Sequence, residues 1–420
     1  MIEVDLLVVD AEEVVTPQIK GPVRGRLMDV LKIIPGGALA VKDGRIVALG
    51  SSDVIKATHR AKEEFSARGC FIVPGFVDAH THPVFTSTRE KEADLRVRGV
   101  SYEEITRRGG GIFRSVLDLR AASDAQIRDC VKAHLDAFLM LGTTTVEAKS
   151  GYGLSFEQEM RSLDALAAVA DRHPVRVVPT FLGAHQCPPE YRKRRGEYLR
   201  ELCERMIPEI ARRSRARYCD VFCDVGAFDV EESRLILRSA ERHGLGLRVH
   251  ADELAASGGA ELACDLRAAT ADHLVHVTEA TIERMHQCGV QPVLLPGTVL
   301  SLGLKRSPPA RTMIDKDLAV VLASDFNPGT SYLQSPLLLI ALAVQILRMT
   351  VAECITALTA NAAASLGLAQ ECGGLLPGMR ADLVVIEGND HLLLGYRLSD
   401  RGVRKVMVGG RWCDASAAPA

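Results

Sequence analysis

The sequence predicts an α/β protein: a (β/α)8 TIM-like barrel with a small β-sandwich domain formed from both chain termini. Three observations lead there. Through the middle of the chain, apolar β-branched runs of strand length alternate with longer, charged, amphipathic segments, the pattern of a parallel sheet with crossover helices. Eight such runs fall within roughly 300 residues, enough to close a barrel. The two ends differ from the middle, with short strand-like runs, glycine turns and no helix-length amphipathic segment. An open doubly wound sheet is the alternative for the middle.

Residues 1–70 and 374–420 are assigned to the small β domain and 71–373 to the barrel inserted between them. In the first part, "GGALAVKDGRIVALG" sets two strand-like runs around Asp43-Gly44, a hairpin signal. Barrel strands are expected near 71–77 (FIVPGFV), 143–147, 175–182, 219–223, 246–250, 271–275, 291–295 and 319–324. Between them, "SDAQIRDCVKAHLDAFLMLG" reads as a helix capped by Ser123 and stopped by Gly142, and "DVEESRLILRSAERHG" as another. After residue 373, "ADLVVIEG" and "VRKVMVGGRWC" return to strand composition, the second with a Gly-Gly turn. No fixed-period repeat or low-complexity linker is present.

Composition narrows the class. The 420 residues are 47% apolar and 25% charged, ordinary for a globular protein with a large core. Lys and Arg number 51 against 53 Asp and Glu, so the net charge of −2 offers no basic field for nucleic acid or an anionic membrane. Eleven cysteines without a CxxC pair read as reduced thiols of a cytoplasmic protein. "MIEVDLLVVDAEEVV" carries acids inside its apolar run, unlike a secretory signal. "PLLLIALAVQIL" (336–347) is too short for a bilayer. The expected partner is a small-molecule substrate, with no nucleic acid and no membrane; a homodimer stays open.

The chemistry-bearing residues gather at one place in such a barrel. "FIVPGFVDAHTHPVF" (71–85) carries His80 and His82, which share a face in a strand. His185 follows the third strand, His250 ends the fifth with Glu253 three residues on, His273 lies in the sixth, and Asp325 ends the eighth. Catalytic groups of barrels come from those C-terminal strand ends. Five of twelve histidines fall on this rim; His59, His134, His173, His243, His276, His286 and His391 lie elsewhere and read as surface or packing residues. Imidazole and carboxylate suit Zn or Fe, and three or four such ligands with an open position describe a catalytic metal. Such a metal makes water nucleophilic near neutral pH, and Glu253 is placed to take the proton, a salt bridge being its bland alternative. "RRGGGI" (107–112) follows no strand, so a loop over the site is preferred to a phosphate cradle. "YRKRRGEYLRELCERM" interleaves acids with its basic run, as on a solvated helix face.

"PGFVDAHTH", the later strand-end His and "SD" after an apolar strand resemble the amidohydrolase superfamily of metal-dependent hydrolases. "SYEEITRRGGGI" (101–112), "TTTVEAKSGYGL" (143–154), "FLGAHQCP" (181–188), "VHADE" (249–253), "ADHL" (271–274) and "SDFNPGTS" (324–331) are similar to its imidazolone propionate hydrolases. "LTANAAASLGL" and "GGLLPGMRADLVVIE" match the common superfamily tail, so the resemblance covers nearly the whole chain. It implies opening of 4-imidazolone-5-propanoate by water to N-formimidoyl-L-glutamate, a step of histidine degradation. It implies one metal ion, Zn or Fe, on His80, His82, His250 and Asp325. Glu253 and His273 match the acid–base and carbonyl-polarising groups, with Asp325 able to share the base role. Arg89, Tyr102, Tyr152, His185, Glu253, Asn327, Gly329 and Thr330 match substrate contacts; a propionate needs a cation, and Arg offers a bidentate fork. Two-metal relatives resemble one another in a lysine after the fourth strand; here "CDVFCDVG" ends without one, and Lys149 follows the second strand, where it reads as structural or substrate-proximal. The chain departs from the pattern at "PVFTSTRE" after "HTH" and at Phe326. A deaminase of a cyclic amidine or nucleobase is the competing enzyme, disfavoured by Arg89 and Tyr152. A non-catalytic scaffold on this fold is the competing non-enzyme, disfavoured by the complete ligand set.

Overall fold

The computed structural model describes residues 1–100, 104–105 and 109–413. Five strands come first: β1 (Ile2–Pro17), β2 (Leu31–Lys42), β3 (Arg45–Ser51), β4 (His59–Ser66) and β5 (Cys70–Pro74). The barrel follows as β6 (Phe76–Asp78), β7 (Thr143–Lys149), β8 (Arg176–Ala184), β9 (Tyr218–Cys223), β10 (Gly246–Ala251), β11 (Thr270–His273), β12 (Gln291–Leu294) and β13 (Val321–Leu322). The chain ends on β14 (Leu383–Glu387), β15 (Val403–Val408) and β16 (Arg411–Cys413).

The terminal strands form one sheet in the order β16-β15-β14-β5-β1-β2-β3, with β4 also on β1. The long β1 joins its two halves. It pairs with β2 along one edge; along the other, Ile2–Val9 pairs with β4 and Glu13–Val14 with β5. The change of partner falls at Asp10, whose φ is +57°, where the β1–β2 register slips between Val8 and Ala11. A bulge of this kind bends a strand from one layer to the next. The enclosed core holds Leu6, Val8, Val14, Leu39, Ile46, Ile72, Leu383, Val385 and Met407. Both expected hairpins are present, with positive φ at Asp43-Gly44 and at Gly409-Gly410, as a tight two-residue turn requires.

Two expectations are corrected. The single strand expected at 71–77 is two strands in two sheets: β5 pairs antiparallel with β14, while β6 pairs parallel with β7. The chain crosses at Gly75, whose N–H donates to Asp382 O at 2.9 Å and where a Cβ would run into the Thr144 side chain. The ends are not free of helix either. Ser52–Thr58 and Leu393–Tyr396 are helical, and Gly25–Asp29 is a 3₁₀ turn. Ser52–Thr58 buries only Ile55, against Val4, Leu7, Val9, Ala38 and Ala40. One apolar contact in two turns leaves no periodicity to read.

The eight barrel strands run parallel in sequence order. The ring is completed beyond the ends of β6 and β13, where His82 N donates to Phe326 O at 2.8 Å and Asp325 N to His80 O at 3.1 Å. Helices pack outside. Asp124–Met140 begins on a capping box between Ser123 and Gln126, buries Ile127, Val131, Leu135 and Phe138, and stops before Gly142 at φ +99°. Val230–Arg242 begins on the same device from Asp229 and Glu232. The basic run is ion-paired at the surface, Arg194 with Glu197 at 2.9 Å and Arg205 with Glu201 at 2.7 Å. Among the described residues no helix is long and apolar enough to cross a membrane.

Candidate active site

The barrel's C-terminal rim gathers the expected side chains. His80 and His82 leave β6 with Nε2 atoms 3.2 Å apart; His250 Nε2, from β10, stands 3.5 Å from His82 Nε2. Asp325 Oδ1 lies 3.5 Å from His80 Nε2 and 3.3 Å from His82 Nε2. All four residues are buried. Ligands set tetrahedrally about an ion at ~2.1 Å lie ~3.4 Å apart, so these donor atoms have the spacing of a metal's ligands. Their chemistry fits as well. Burial, aided by the charge of Lys149, lowers His80 to about 4, and burial lowers His82 to about 4, so both imidazoles are neutral lone-pair donors. Burial would raise the Asp325 carboxyl, but His80 and His82 beside it hold it well below its ordinary value. Its other oxygen, Oδ2, accepts from Thr298 Oγ1 at 2.6 Å. Two overlapping donor groups are present, His80–His82–Asp325 and His80–His250–His273. A third, Glu13–Asp390–His391, lies in the terminal sheet region, where His391 Nδ1 is paired to Glu13 Oε2 at 2.8 Å.

Sequence reasoning missed what lies beneath. His80 Nδ1 is 2.6 Å from Asp272 Oδ2, and Arg248 Nη2 is 3.6 Å from the same oxygen while donating to Ala79 O at 2.8 Å. His250 Nδ1 is 3.0 Å from Asp220 Oδ2, and Lys149 Nζ bridges Asp220 Oδ2 and Glu147 Oε1, both at 2.8 Å. A carboxylate on Nδ1–H fixes the tautomer that presents Nε2 to a metal. Burial would lower Lys149, but Asp220 and Glu147 outweigh it and raise it, so the amine stays charged. A signal existed: Glu147, Lys149, Asp220, Arg248 and Asp272 are charged residues inside apolar strands, and all are fully buried.

Glu253 and His273 face each other across the site, Oε2 to Nε2 at 3.6 Å. Burial pushes Glu253 up to about 7, with His273 opposing. Asp224 Oδ2 fixes its backbone by accepting from the N–H groups of Glu253 and Leu254, both at 2.8 Å. Three rim residues hold left-handed backbone without being glycine: Asp252 (φ +53°), His273 (+77°) and Asp325 (+52°). Such conformations cost about 1–3 kcal/mol each and persist where the surroundings enforce them, typically at functional sites.

Several of the expected substrate contacts lie near these side chains or on the loop after Asp325. The guanidinium of Arg89 lies directly against Gly329, and among the described residues its buried Nε and Nη1 have no hydrogen-bond partner. Glu92 Oε2 stands 3.8 Å from Nη1. The Tyr152 ring lies 6.2 Å from that of His82 and 5.4 Å from that of His185. His185 stacks on His82 at 5.3 Å and donates through Nδ1 to Gly151 O at 3.0 Å, leaving Nε2 for the pocket. Asn327 turns inward on its own loop: Oδ1 accepts from the N–H groups of Gly329 (2.8 Å) and Thr330 (2.7 Å), and Nδ2 donates to Asp325 O and Thr330 Oγ1. Tyr102 and part of "RRGGGI" lie outside the described residues. Phe326 packs away from the histidines among Phe85, His134, Phe138 and Tyr332, so that departure from the family pattern falls in the wall behind the pocket.

Comparison with known proteins agrees with this geometry. Residues 71–413 match the model of the amidohydrolase family. The chain is 44% identical over 412 residues to the imidazolonepropionase of Symbiobacterium thermophilum, covering 97% of each chain. It is 43% identical over 392 residues to that of Solibacter usitatus, covering 93% of this chain and 94% of the relative. Among solved structures, guanine deaminase from Bradyrhizobium japonicum superposes with a TM-score of 0.73 at 18% identity, covering 97% of this chain and 99% of that one. A zinc-bound adenosine deaminase from Xanthomonas campestris gives 0.70 at 19% identity, covering 98% and 93%. Those two likenesses speak for the fold. With matches of this extent to the family model and to its relatives, the chain belongs to the amidohydrolase family and, within it, to the imidazolonepropionases.

Proposed function

We propose that this chain hydrolyses 4-imidazolone-5-propanoate to N-formimidoyl-L-glutamate, a step of histidine degradation, with one metal ion, Zn or Fe, held by His80, His82, His250 and Asp325. The observation that carries the reading is the pairing of a buried ring of nitrogen and carboxylate donors with Arg89, whose buried Nε and Nη1 have no hydrogen-bond partner among the described residues. The first suits a metal, the second a carboxylate. When bound, the metal supplies the Lewis acidity that makes water a nucleophile near neutral pH.

The protein's own groups do the rest. Glu253, raised to about 7, takes a proton from the attacking water and returns it to the departing ring nitrogen. Asp325 is less suited to that task, since Oδ2 is occupied by Thr298 and Oδ1 faces the histidines. His273 Nε2, buried and without a hydrogen-bond partner, donates to the ring carbonyl as negative charge grows there. Arg89 pairs with the propionate, and Tyr152 and His185 border the ring. Eleven cysteines without a CxxC pair support a cytoplasmic setting. The test is loss of imidazolone propionate absorbance with purified, metal-analysed protein, against a panel of nucleobases. Turnover of a nucleobase and none of the propionate would transfer the assignment to a deaminase.

A further inference from the structure

We propose that Glu159 is a positioning residue for substrate recognition, acting through the loop that carries Tyr152. The inference rests on the reading that Tyr152 and His185 border the substrate. Glu159 lies in the first turn of the helix Phe156–Ala170, whose N-cap is supplied separately by Ser155. Its fully buried carboxylate is directed at the preceding loop. Oε2 accepts from Gly151 N at 3.0 Å, and Oε1 from Gly153 N and Leu154 N, both at 2.8 Å. Those residues bracket Tyr152 on both sides. Burial raises the Glu159 carboxyl, and Ser150 and the three N–H groups oppose that shift; with three backbone donors converging on its two oxygens, one side chain sets the course of the whole turn.

The rest of the loop leaves little other freedom. Gly151 and Leu154 hold φ of +113° and +52°. A Cβ at Gly153 would stand 2.6 Å from the Gln158 backbone. Arg120 Nε donates to Gly153 O at 2.8 Å, and His185 Nδ1 to Gly151 O at 3.0 Å. Glu159 therefore fixes two substrate-facing side chains: Tyr152 directly, and His185 through the carbonyl that orients its ring.

The test is the kinetics of Glu159→Gln with 4-imidazolone-5-propanoate, alone and combined with Tyr152→Phe. The amide keeps its size but cannot accept from all three N–H groups. The expected result is a KM raised about tenfold, the scale of one hydrogen bond to substrate, a much smaller change in kcat, and unchanged metal content. Added to Tyr152→Phe, Glu159→Gln should lower kcat/KM little further, while the two losses in Tm add. If Glu159→Gln does not fold, Arg120→Met loosens the same loop from Gly153 O and should show the same KM-weighted loss. A lowered Tm with native KM in the folded variant overturns the proposal, as do independent, multiplying effects on kcat/KM in the double variant. A native KM in Tyr152→Phe removes the residue through which Glu159 acts and overturns it too. No turnover by the native protein overturns the activity reading and this proposal together; native turnover with an unaffected Glu159→Gln overturns this proposal alone.

Discussion

Gly329→Ala isolates the recognition of the carboxylate with a single methyl group. The Gly329 backbone has no left-handed φ, so alanine is conformationally acceptable there. The obstacle is space: a Cβ would overlap Nη2 and Cζ of Arg89 and stand 2.7 Å from Nε. The flexible guanidinium must swing away. Among the described residues Nε and Nη1 make no hydrogen bond and the ion pair to Glu92 is long at 3.8 Å, so the change in stability should stay near or below about 1 kcal/mol. What is lost is the cation facing the substrate. A charge-assisted hydrogen bond contributes about 1.5–3 kcal/mol, or roughly a 10- to 150-fold fall in kcat/KM for 4-imidazolone-5-propanoate. Arg89→Met should give the same fall, and the double variant no more than either alone, because both remove one interaction. A ring substrate without the carboxylate should be poor with the native protein and indifferent to both changes. Native kcat/KM in Gly329→Ala would refute the placement of Arg89. An equal loss on both substrates would mean that Arg89 shapes the barrel mouth instead of reading the propionate.

Three further outcomes are expected. His250→Ala should purify with sharply reduced metal by elemental analysis; full occupancy would exclude His250 as a ligand. Glu253→Gln should keep its metal while kcat falls roughly 10²–10⁴-fold. Because burial places Glu253 near 7 and the carboxylate is its working form, the native rate should fall about tenfold per pH unit below that point; a variant that keeps this acidic limb would assign it to another group. Asp272→Asn should weaken metal affinity roughly 10- to 100-fold in chelator competition, through the lost partner of His80 Nδ1; native affinity would sink that role.

The barrel was legible because its strands are apolar runs between amphipathic helices, and the rim histidines because they fall at or near the ends of such runs. Ser123 and Asp43-Gly44 were legible because capping and turn chemistry are local. The division at Gly75 was not, since β5 and β6 are equally apolar and only their partners, β14 and β7, assign them to different sheets. The supports of the site were hidden for a related reason. Asp272 meets His80 across 192 positions of sequence, and no local pattern announces such a pair. The local role of Asn327 was equally hidden, because its amide shapes the Gly329–Thr330 turn through backbone contacts that residue type alone does not announce.

The buried charges explain why so polar a barrel floor is tolerated. Glu147, Asp220, Asp272 and Asp325 lie with Lys149 and Arg248 among neighbouring imidazoles, and all six are buried. Unpaired buried charge costs several kcal/mol, and cation–carboxylate pairs offset that cost only with good geometry and full partnering. Lys149 and Arg248 balance two of the four carboxylates. A cation held among His80, His82, His250 and Asp325, as proposed, would add positive charge beside the remaining carboxylates. Asp78 and Glu253, raised by burial to about 7 each, are the carboxyls that can give up their charge near neutrality. The same network that orients the histidines thus also carries the buried charge of the barrel floor, and this links the stability of that floor to the chemistry at its rim.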